Sequence, residues 1–253
     1  MTLIAESLAL AVQYQQAGHL HQAERLYRDI LAADPAHAEA WCRLGSVYQA
    51  SGRLAEAEGN YRQALALQAN YAEAFNNLGM ALALQGKPAE AVAYFQQACQ
   101  LMPETADPLN NLGSALGLAG RNDEAVQVFE RALREHESAD AHFNLAYVEV
   151  KLGRLDDAIR ECEAGLRLDP GHYESNAQLG MLLAGRARLD EAIEHLRRAL
   201  AARPANLETR RLLAQTLERA HRHDEAQAEY AEILHRSPGD RDAQSHLDRR
   251  TNP

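Results

Sequence analysis

The stretch AEAFNNLGMALALQGKPAEAVAYFQQACQLMP, at residues 72–103, decides how this chain folds. Its apolar residues from Phe75 to Leu82 recur three or four positions apart, which is the spacing of one face of an α-helix. Gly86 ends that helix, and Pro88 suits the first turn of a second helix, where a missing N–H costs nothing. Neither apolar face can be buried within one helical hairpin, so neighbouring copies must stack and share a core.

Copies of this unit fill nearly the whole chain. Each has 34 residues except the fourth, which has 33. The copies occupy residues 4–37, 38–71, 72–105, 106–138, 139–172, 173–206 and 207–240. We therefore predict an all-α solenoid of seven helix-turn-helix repeats that forms one domain over residues 1–253, with 241–253 as a short polar cap or tail.

Positions numbered within each copy indicate how the hairpins pack. Position 7 is always leucine, and position 8 is always small, so we expect two helices to approach closely there and larger side chains to clash. The residues at position 8 are Ala11, Gly45, Gly79, Gly113, Ala146, Gly180 and Ala214. Position 20 is always alanine, and one turn later position 24 holds Tyr27, Tyr61, Phe95, Phe129, Cys162, Leu196 and Tyr230. Small residues beside large ones give the interdigitation that stacked helices need.

The same residues resemble a known family. The chain is similar to the tetratricopeptide repeat in its 34-residue period, its turn glycine and its closing proline. It also has the aromatic residue, leucine, glycine and tyrosine of that repeat, at Trp41, Leu44, Gly45 and Tyr48. The resemblance covers residues 4–240. It implies a right-handed superhelix in which the first helices line a concave groove and the second helices form the outer wall.

Several residues depart from the pattern of that family, among them Ala69 and Glu137 in place of the closing proline. Ala187 and His221 stand where the other copies have the turn glycine. His142 and Glu149 stand in the fifth copy where large apolar residues are usual. We therefore expect the fifth repeat to be loosely packed or partly exposed at these two positions.

Composition excludes several classes of function. The net charge is −10 and the basic residues are scattered among acidic ones, so the basic surface of a nucleic-acid-binding protein is missing. We find no apolar run long enough to span a membrane and no secretory signal, and we expect a cytoplasmic protein. The residues Cys42, Cys99 and Cys162 are far apart in helical positions, which favours packed, reduced thiols.

Side-chain amides form a row in the middle copies. Position 6 holds Asn77, Asn111 and Asn144, and position 5 adds Asn76 and Asn110. Asparagine costs about 0.5–0.7 kcal/mol against alanine inside a helix, so its repetition needs a reason. An amide both donates and accepts hydrogen bonds, so it can pair with the backbone of an extended peptide whatever its side chains. The alternative is that these amides bond only to neighbouring turns or water.

The row resembles the asparagine ladder in the repeat domains of O-linked N-acetylglucosamine transferases. That resemblance implies a peptide-binding groove, with Asn77, Asn111 and Asn144 as its main contacts. We expect secondary contacts from Asn76, Asn110, Met80 and Ser114. Leu84 and Leu118 on the same helices are candidates for apolar contacts or for the core.

Acidic residues recur at position 2. They are Glu39, Glu73, Asp107, Asp140, Glu174 and Glu208. Glu73 and Asp107 flank the central amides, where they would favour basic peptides. The alternative is that they only stabilise the exposed N–H groups of the first helical turn.

We find no motif for nucleotide binding or nucleophilic catalysis, and we predict no enzyme and no cofactor. Two H-x-H pairs, His19 with His21 and His221 with His223, lack further ligands at metal-binding spacing, so no metal is expected. The sequence thus predicts a scaffold that binds a protein or peptide in a groove. Two alternatives stay open, the substrate-recognition array of a glycosyltransferase-like enzyme and a self-assembling scaffold or homo-oligomer.

Overall fold

The computed structural model describes residues 2–251, and within that range it contains fifteen α-helices and no strand. The helices are α1 (Thr2–Gln16), α2 (Leu20–Ala33), α3 (Ala38–Ala50), α4 (Leu54–Leu67), α5 (Ala72–Leu84), α6 (Pro88–Leu101), α7 (Ala106–Leu118), α8 (Asn122–Glu135), α9 (Ala139–Lys151), α10 (Leu155–Leu168), α11 (Tyr173–Gly185), α12 (Leu189–Ala202), α13 (Leu207–Arg219), α14 (His223–Arg236) and α15 (Arg241–Thr251). None of these helices is both long and apolar enough to cross a bilayer.

Consecutive helices pair into seven hairpins, from α1 with α2 to α13 with α14, and α15 packs on α14. The seven hairpins are roughly consistent with the seven predicted repeats, and the all-α repeat fold is confirmed. Contacts divide the chain into two compact units, Met1–His136 and Glu137–Pro253. A single domain over residues 1–253 stays a prediction.

The first helices form the inner layer of each unit. In the first unit α1 contacts α3, α3 contacts α5 and α5 contacts α7, and in the second unit α9 contacts α11 and α11 contacts α13. Between residues 2 and 251, the second helices of neighbouring hairpins make no such contact. Each unit is therefore narrower on the side of its first helices, which is where an extended ligand would meet several repeats at once.

Each hairpin closes on a small residue packed against a large one. A Cβ added at Gly79 would lie 2.7 Å from Cε1 of Phe95, a ring that is only 2% exposed. The corresponding contacts of Gly45 with Tyr61 and of Gly113 with Phe129 are equally short. The expected clash at position 8 is thus confirmed, because the aromatic ring occupies the space of the missing methyl group.

The turn inside every hairpin uses a left-handed backbone conformation. Five turns place glycine there, with φ between 73° and 79°. The two substitutions seen in the sequence adopt the same conformation, with φ of 60° at Ala187 and 58° at His221. The turn is therefore fixed by the packing of the two helices even where no glycine favours it.

The expected exposure of the fifth repeat is wrong. His142 and Glu149 are only 7% and 6% exposed. His142 Nδ1 lies 2.7 Å from a carboxylate oxygen of Glu161, and its Nε2 lies 3.2 Å from Glu137. Arg154 Nη1 donates to Glu149 over 3.4 Å. Charged partners on the neighbouring turns and helix make these polar groups acceptable inside the repeat.

The leucine at position 7 of the first repeat is exposed. Leu10 keeps 42% of its surface accessible, whereas the leucines at position 7 of the other six repeats are buried. Within the described residues, no hairpin packs on the outer side of α1, so this leucine has a neighbour on one side only.

Candidate peptide-binding face

The predicted binding residues of the third and fourth repeats lie together on α5 and α7. We call the surface made by positions 2, 5, 6, 9 and 13 of these two helices the amide face. It comprises Glu73, Asn76, Asn77, Met80, Leu84, Asp107, Asn110, Asn111, Ser114 and Leu118. Every one of these residues is half-buried or exposed, so the face is open to a ligand.

The amides pair from one repeat to the next. Asn111 Nδ2 donates to Oδ1 of Asn76 over 2.9 Å, which links position 6 of one repeat to position 5 of the preceding repeat. Asn77 makes the equivalent contact to Cys42, with 3.9 Å between Nδ2 and Sγ. Asn76 also points its Nδ2 at the sulfur of Met80, 3.6 Å away. Two of these contacts therefore join neighbouring repeats, and the third lies within α5.

These contacts leave part of the hydrogen-bonding capacity unused. An amide offers two N–H donors and an oxygen with two lone pairs, and the bond between Asn111 and Asn76 uses one donor and one lone pair. Oδ1 of Asn110 has no hydrogen-bond partner in the described part of the chain and is shielded from solvent. The remaining donors and acceptors of Asn76 and Asn111 are held in place on the open face, where a ligand could bond to them.

Cys42 contributes to packing and not to reactivity. Its side chain is fully buried, and burial raises the pKa of the thiol to about 11, an effect that Glu73 reinforces. The thiol therefore stays protonated at neutral pH, and its sulfur serves as a weak acceptor for Asn77. Cys99 and Cys162 are likewise buried and free, as the sequence predicted.

The amide face carries negative charge only. Neither α5 nor α7 contains a lysine or arginine, and their acidic residues are Glu73 and Asp107. Arg43 on α3 partly compensates Glu73, because it lies 3.9 Å from that carboxylate and 3.5 Å from Glu39. Both carboxylates of the face also lie in the first turn of their helices, where they stabilise the helix dipole. The two explanations offered for the acidic row are therefore compatible.

An apolar edge lies at the other end of the same helices. Leu84 and Leu118, both at position 13, are each 62% exposed. They are the C-terminal residues of α5 and α7, on the far side of the amides from Glu73 and Asp107. Two large apolar side chains this exposed in adjacent repeats make a patch that a partner could cover.

In the second unit, Asn144 is half-buried on α9. The same helix presents Tyr147, which is 47% exposed and has Lys151 Nζ 4.7 Å from its ring centroid. Sequence reasoning missed this tyrosine, although it occupies position 9, as Met80 does in the third repeat. Reading position 9 along all the repeats would have found it.

The histidine pairs do not join a metal-binding group. His221 and His223 stack edge to face with ring centroids 5.9 Å apart. Across the described residues, no cluster of three or more histidine, cysteine or acidic side chains could hold a metal ion.

Stacked helical hairpins with an open inner face define the class of α-helical repeat proteins. Four family profiles, each described as tetratricopeptide repeat, match residues 4–47, 36–104, 110–173 and 183–247. The chain therefore belongs to the tetratricopeptide repeat family, as its sequence suggested. Proteins of this family generally mediate protein–protein interactions. A comparison with curated proteins finds no match.

Solved structures share the fold at low sequence identity. A tetratricopeptide repeat protein from Parabacteroides merdae is 16% identical, with a TM-score of 0.73 over 98% of each chain. A chain of the APC/C hetero-tetramer Cut9–Hcn1 is 18% identical with a TM-score of 0.71 over 94% of this chain. The match covers 48% of the Cut9–Hcn1 chain, so this protein spans about half its length. YrrB, a repeat protein with an unusual peptide-binding site, is 22% identical with a TM-score of 0.58 over 74% of this chain and 97% of its own.

Proposed function

We propose that this chain is a non-enzymatic scaffold that binds an extended segment of a partner protein across the amide face. The observation that carries the proposal is the hydrogen bond of 2.9 Å between Asn111 and Asn76, which holds amides of two repeats in one row on an open face. A row of this kind suits a peptide backbone, because each amide can both donate to a carbonyl and accept from an N–H.

The neighbouring structures support this proposal at the level of the fold. YrrB is described as having an unusual peptide-binding site, and the Cut9–Hcn1 structure is a hetero-tetramer. At identities below 25% these structures indicate what such a fold can carry, and the residues of this chain must supply the specificity.

The proposal is tested by selecting peptides from a displayed random library on the purified chain and measuring their affinities. Replacing Asn77 and Asn111 by alanine should lower the affinity of the selected peptides by about tenfold or more, since each lost pair of hydrogen bonds to the peptide backbone costs roughly 1 kcal/mol. The matched control replaces Gln96 and Gln127, exposed amides on the outer helices α6 and α8, and should leave affinity unchanged. The single change Asn144→Ala tests whether the fifth repeat contributes.

Equal circular dichroism spectra and melting curves establish that the variants are folded. If the selected peptides bind the Asn77 and Asn111 variant as tightly as the wild type, the amide face is not their binding site and the proposal fails. The glycosyltransferase alternative uses the same face, and it predicts that the same variant reduces glycosylation of acceptor proteins by a partner transferase.

The self-assembly alternative meets an obstacle at the first hairpin. Position 3 is small or short and buried in the second to seventh copies and at the corresponding residue of α15. These residues are Ala40, Ala74, Pro108, Ala141, Ser175, Thr209 and Ala243. The first copy has Glu6, which is exposed. End-to-end stacking of another copy on α1 would bury this carboxylate, so light scattering should show a mass that does not rise with concentration.

A further inference from the structure

The amide face consists of three parallel rows that run from repeat to repeat. The acidic row is Glu73 and Asp107, the apolar row is Leu84 and Leu118, and the amides lie between them. Position 2 and position 13 are eleven residues apart, which is about 16 Å along a helix that rises about 1.5 Å per residue. A ligand running along the array would therefore meet different chemistry on its two sides and the same chemistry in each repeat.

The spacing of the repeats selects the conformation of such a ligand. The helices α5 and α7 contact each other directly, and packed helices lie about 8–10 Å apart. A polyproline II segment rises about 3.1 Å per residue and repeats every three residues, so equivalent side chains recur about every 9.3 Å. Equivalent side chains of a β-strand recur about every 6.6 Å, which does not match the repeat. Polyproline II also leaves its backbone groups free of internal bonds and therefore available to the amides.

The charges decide which side chains fit the acidic row. Glu39, Glu73 and Asp107 line this edge, and Arg43 is the only basic side chain on α3, α5 and α7. Three carboxylates against one guanidinium leave an excess of two negative charges. The edge therefore favours basic groups. Because Arg43 lies beside Glu73 and partly neutralises its charge, Asp107 is the better partner for a basic side chain of the ligand.

Resting on the function proposed above, we propose that the partner segment is a polyproline II stretch with a period of three residues. In each triplet one basic side chain faces the acidic row and one apolar side chain covers the apolar row of Leu84 and Leu118. The backbone between them bonds to the amides of α5 and α7.

The test uses two fluorescent synthetic nonapeptides of equal composition and measures binding by anisotropy. One repeats the triplet lysine-proline-leucine three times, and the other has the same residues in an order that removes the period of three. The wild-type chain should bind the periodic peptide about tenfold more tightly. Replacing Leu84 and Leu118 by serine should abolish this preference, whereas replacing Leu67 and Leu101, leucines of similar type exposed on α4 and α6, should preserve it.

A second variant tests the charged row. Asp107→Asn should lower the affinity for the periodic peptide several-fold at low salt. It should also reduce the dependence of that affinity on salt, because one ionic contact is removed. An unchanged salt dependence would overturn the assignment of the basic side chains.

The outcomes separate this inference from the proposal on which it rests. Equal affinity of the two peptides overturns the period of three. If neither synthetic peptide binds while library-selected peptides still depend on Asn77 and Asn111, the chemistry inferred for the ligand is wrong and the scaffold function stands. If neither binds and the amide variant has no effect on any selected peptide, the function itself fails.

Discussion

Ala187→Gly should stabilise the second unit, although it removes a methyl group. Ala187 has φ of 60°, in the turn between α11 and α12. Its N–H donates to Ala184 over 3.1 Å, and the next N–H, of Arg188, donates to Leu183 over 3.0 Å. These two bonds end the helix in a Schellman motif, whose left-handed residue is usually glycine.

The expected gain follows from two opposing terms. The left-handed conformation costs a residue with a Cβ about 1–2 kcal/mol, which glycine avoids. Glycine in turn makes the unfolded chain more flexible, which costs about 0.4–1 kcal/mol. The difference predicts a stabilisation of about 0.5–1 kcal/mol, or a rise of roughly 1–4 °C in melting temperature for a chain of this size.

Gly153 provides the reciprocal control in the same unit. It has φ of 74°, and its N–H and that of Arg154 make the same two turn bonds, of 3.0 and 2.9 Å. A Cβ added at Gly153 meets no atom within 4 Å, so Gly153→Ala introduces backbone strain without a steric clash. The free energy of unfolding of this variant should fall by about 0.5–1 kcal/mol, because alanine adopts the left-handed conformation at a cost that glycine avoids.

The measurement is urea unfolding followed by circular dichroism, with the midpoint and slope fitted for the wild type and both variants. Unchanged slopes would allow the midpoint shifts to be read as differences in stability. If Ala187→Gly lowered the midpoint, or if Gly153→Ala left it unchanged, left-handed strain would not govern these turns and the reasoning would be refuted.

Two further perturbations test the packing and the electrostatics. Gly79→Ala should destabilise the fold by up to about 2 kcal/mol. Overpacking against Phe95 costs about 1–3 kcal/mol, while the helix gains about 1 kcal/mol from alanine. Thermal melting measures the change, and a higher melting temperature would contradict the prediction. Hydrogen bonds from Arg222 and Arg197 lower the pKa of Glu225 from 4.5 to about 2. Its ionised form therefore stabilises the fold above pH 4.5, and this contribution is lost as the pH falls through about 2. Glu225→Gln should flatten the pH dependence of unfolding between these values, and an unchanged acid titration would show that the ion pairs do not contribute.

The repeat boundaries and the hairpin contacts were predictable from the sequence because they depend on short-range patterns. A helix face, a turn and a proline are each encoded within a few residues, and the period repeats them seven times. The pairing of Gly79 with Phe95 was predictable for the same reason, since both residues belong to one hairpin. The cross-repeat bond between Asn111 and Asn76 was not, because it depends on side-chain rotamers and on the offset between two hairpins.

His142 and Glu149 show where pattern reasoning misleads. Polar residues at core positions predicted exposure, yet both are buried. Their burial is possible because Glu161 on α10 lies 2.7 Å from His142, and Arg154, just before α10, reaches Glu149. Whether a polar residue can be buried depends on a partner from another element, and the helical period alone does not contain that information.

The distribution of the amides along the chain favours the role in recognition proposed for them over a role in folding. Residues that build the hairpins recur in every repeat, as alanine at position 20 does. The amides of position 6 are instead confined to the middle repeats, and the first, second and seventh hairpins form with Ala9, Arg43 and Leu212 in their place. A hairpin therefore does not need asparagine at this position. Asparagine costs about 0.5–0.7 kcal/mol in a helix interior, and the bond between Asn111 and Asn76 returns about 0.5–1.5 kcal/mol, so Asn111→Ala should change the stability of the fold by no more than about 1 kcal/mol while it weakens peptide binding.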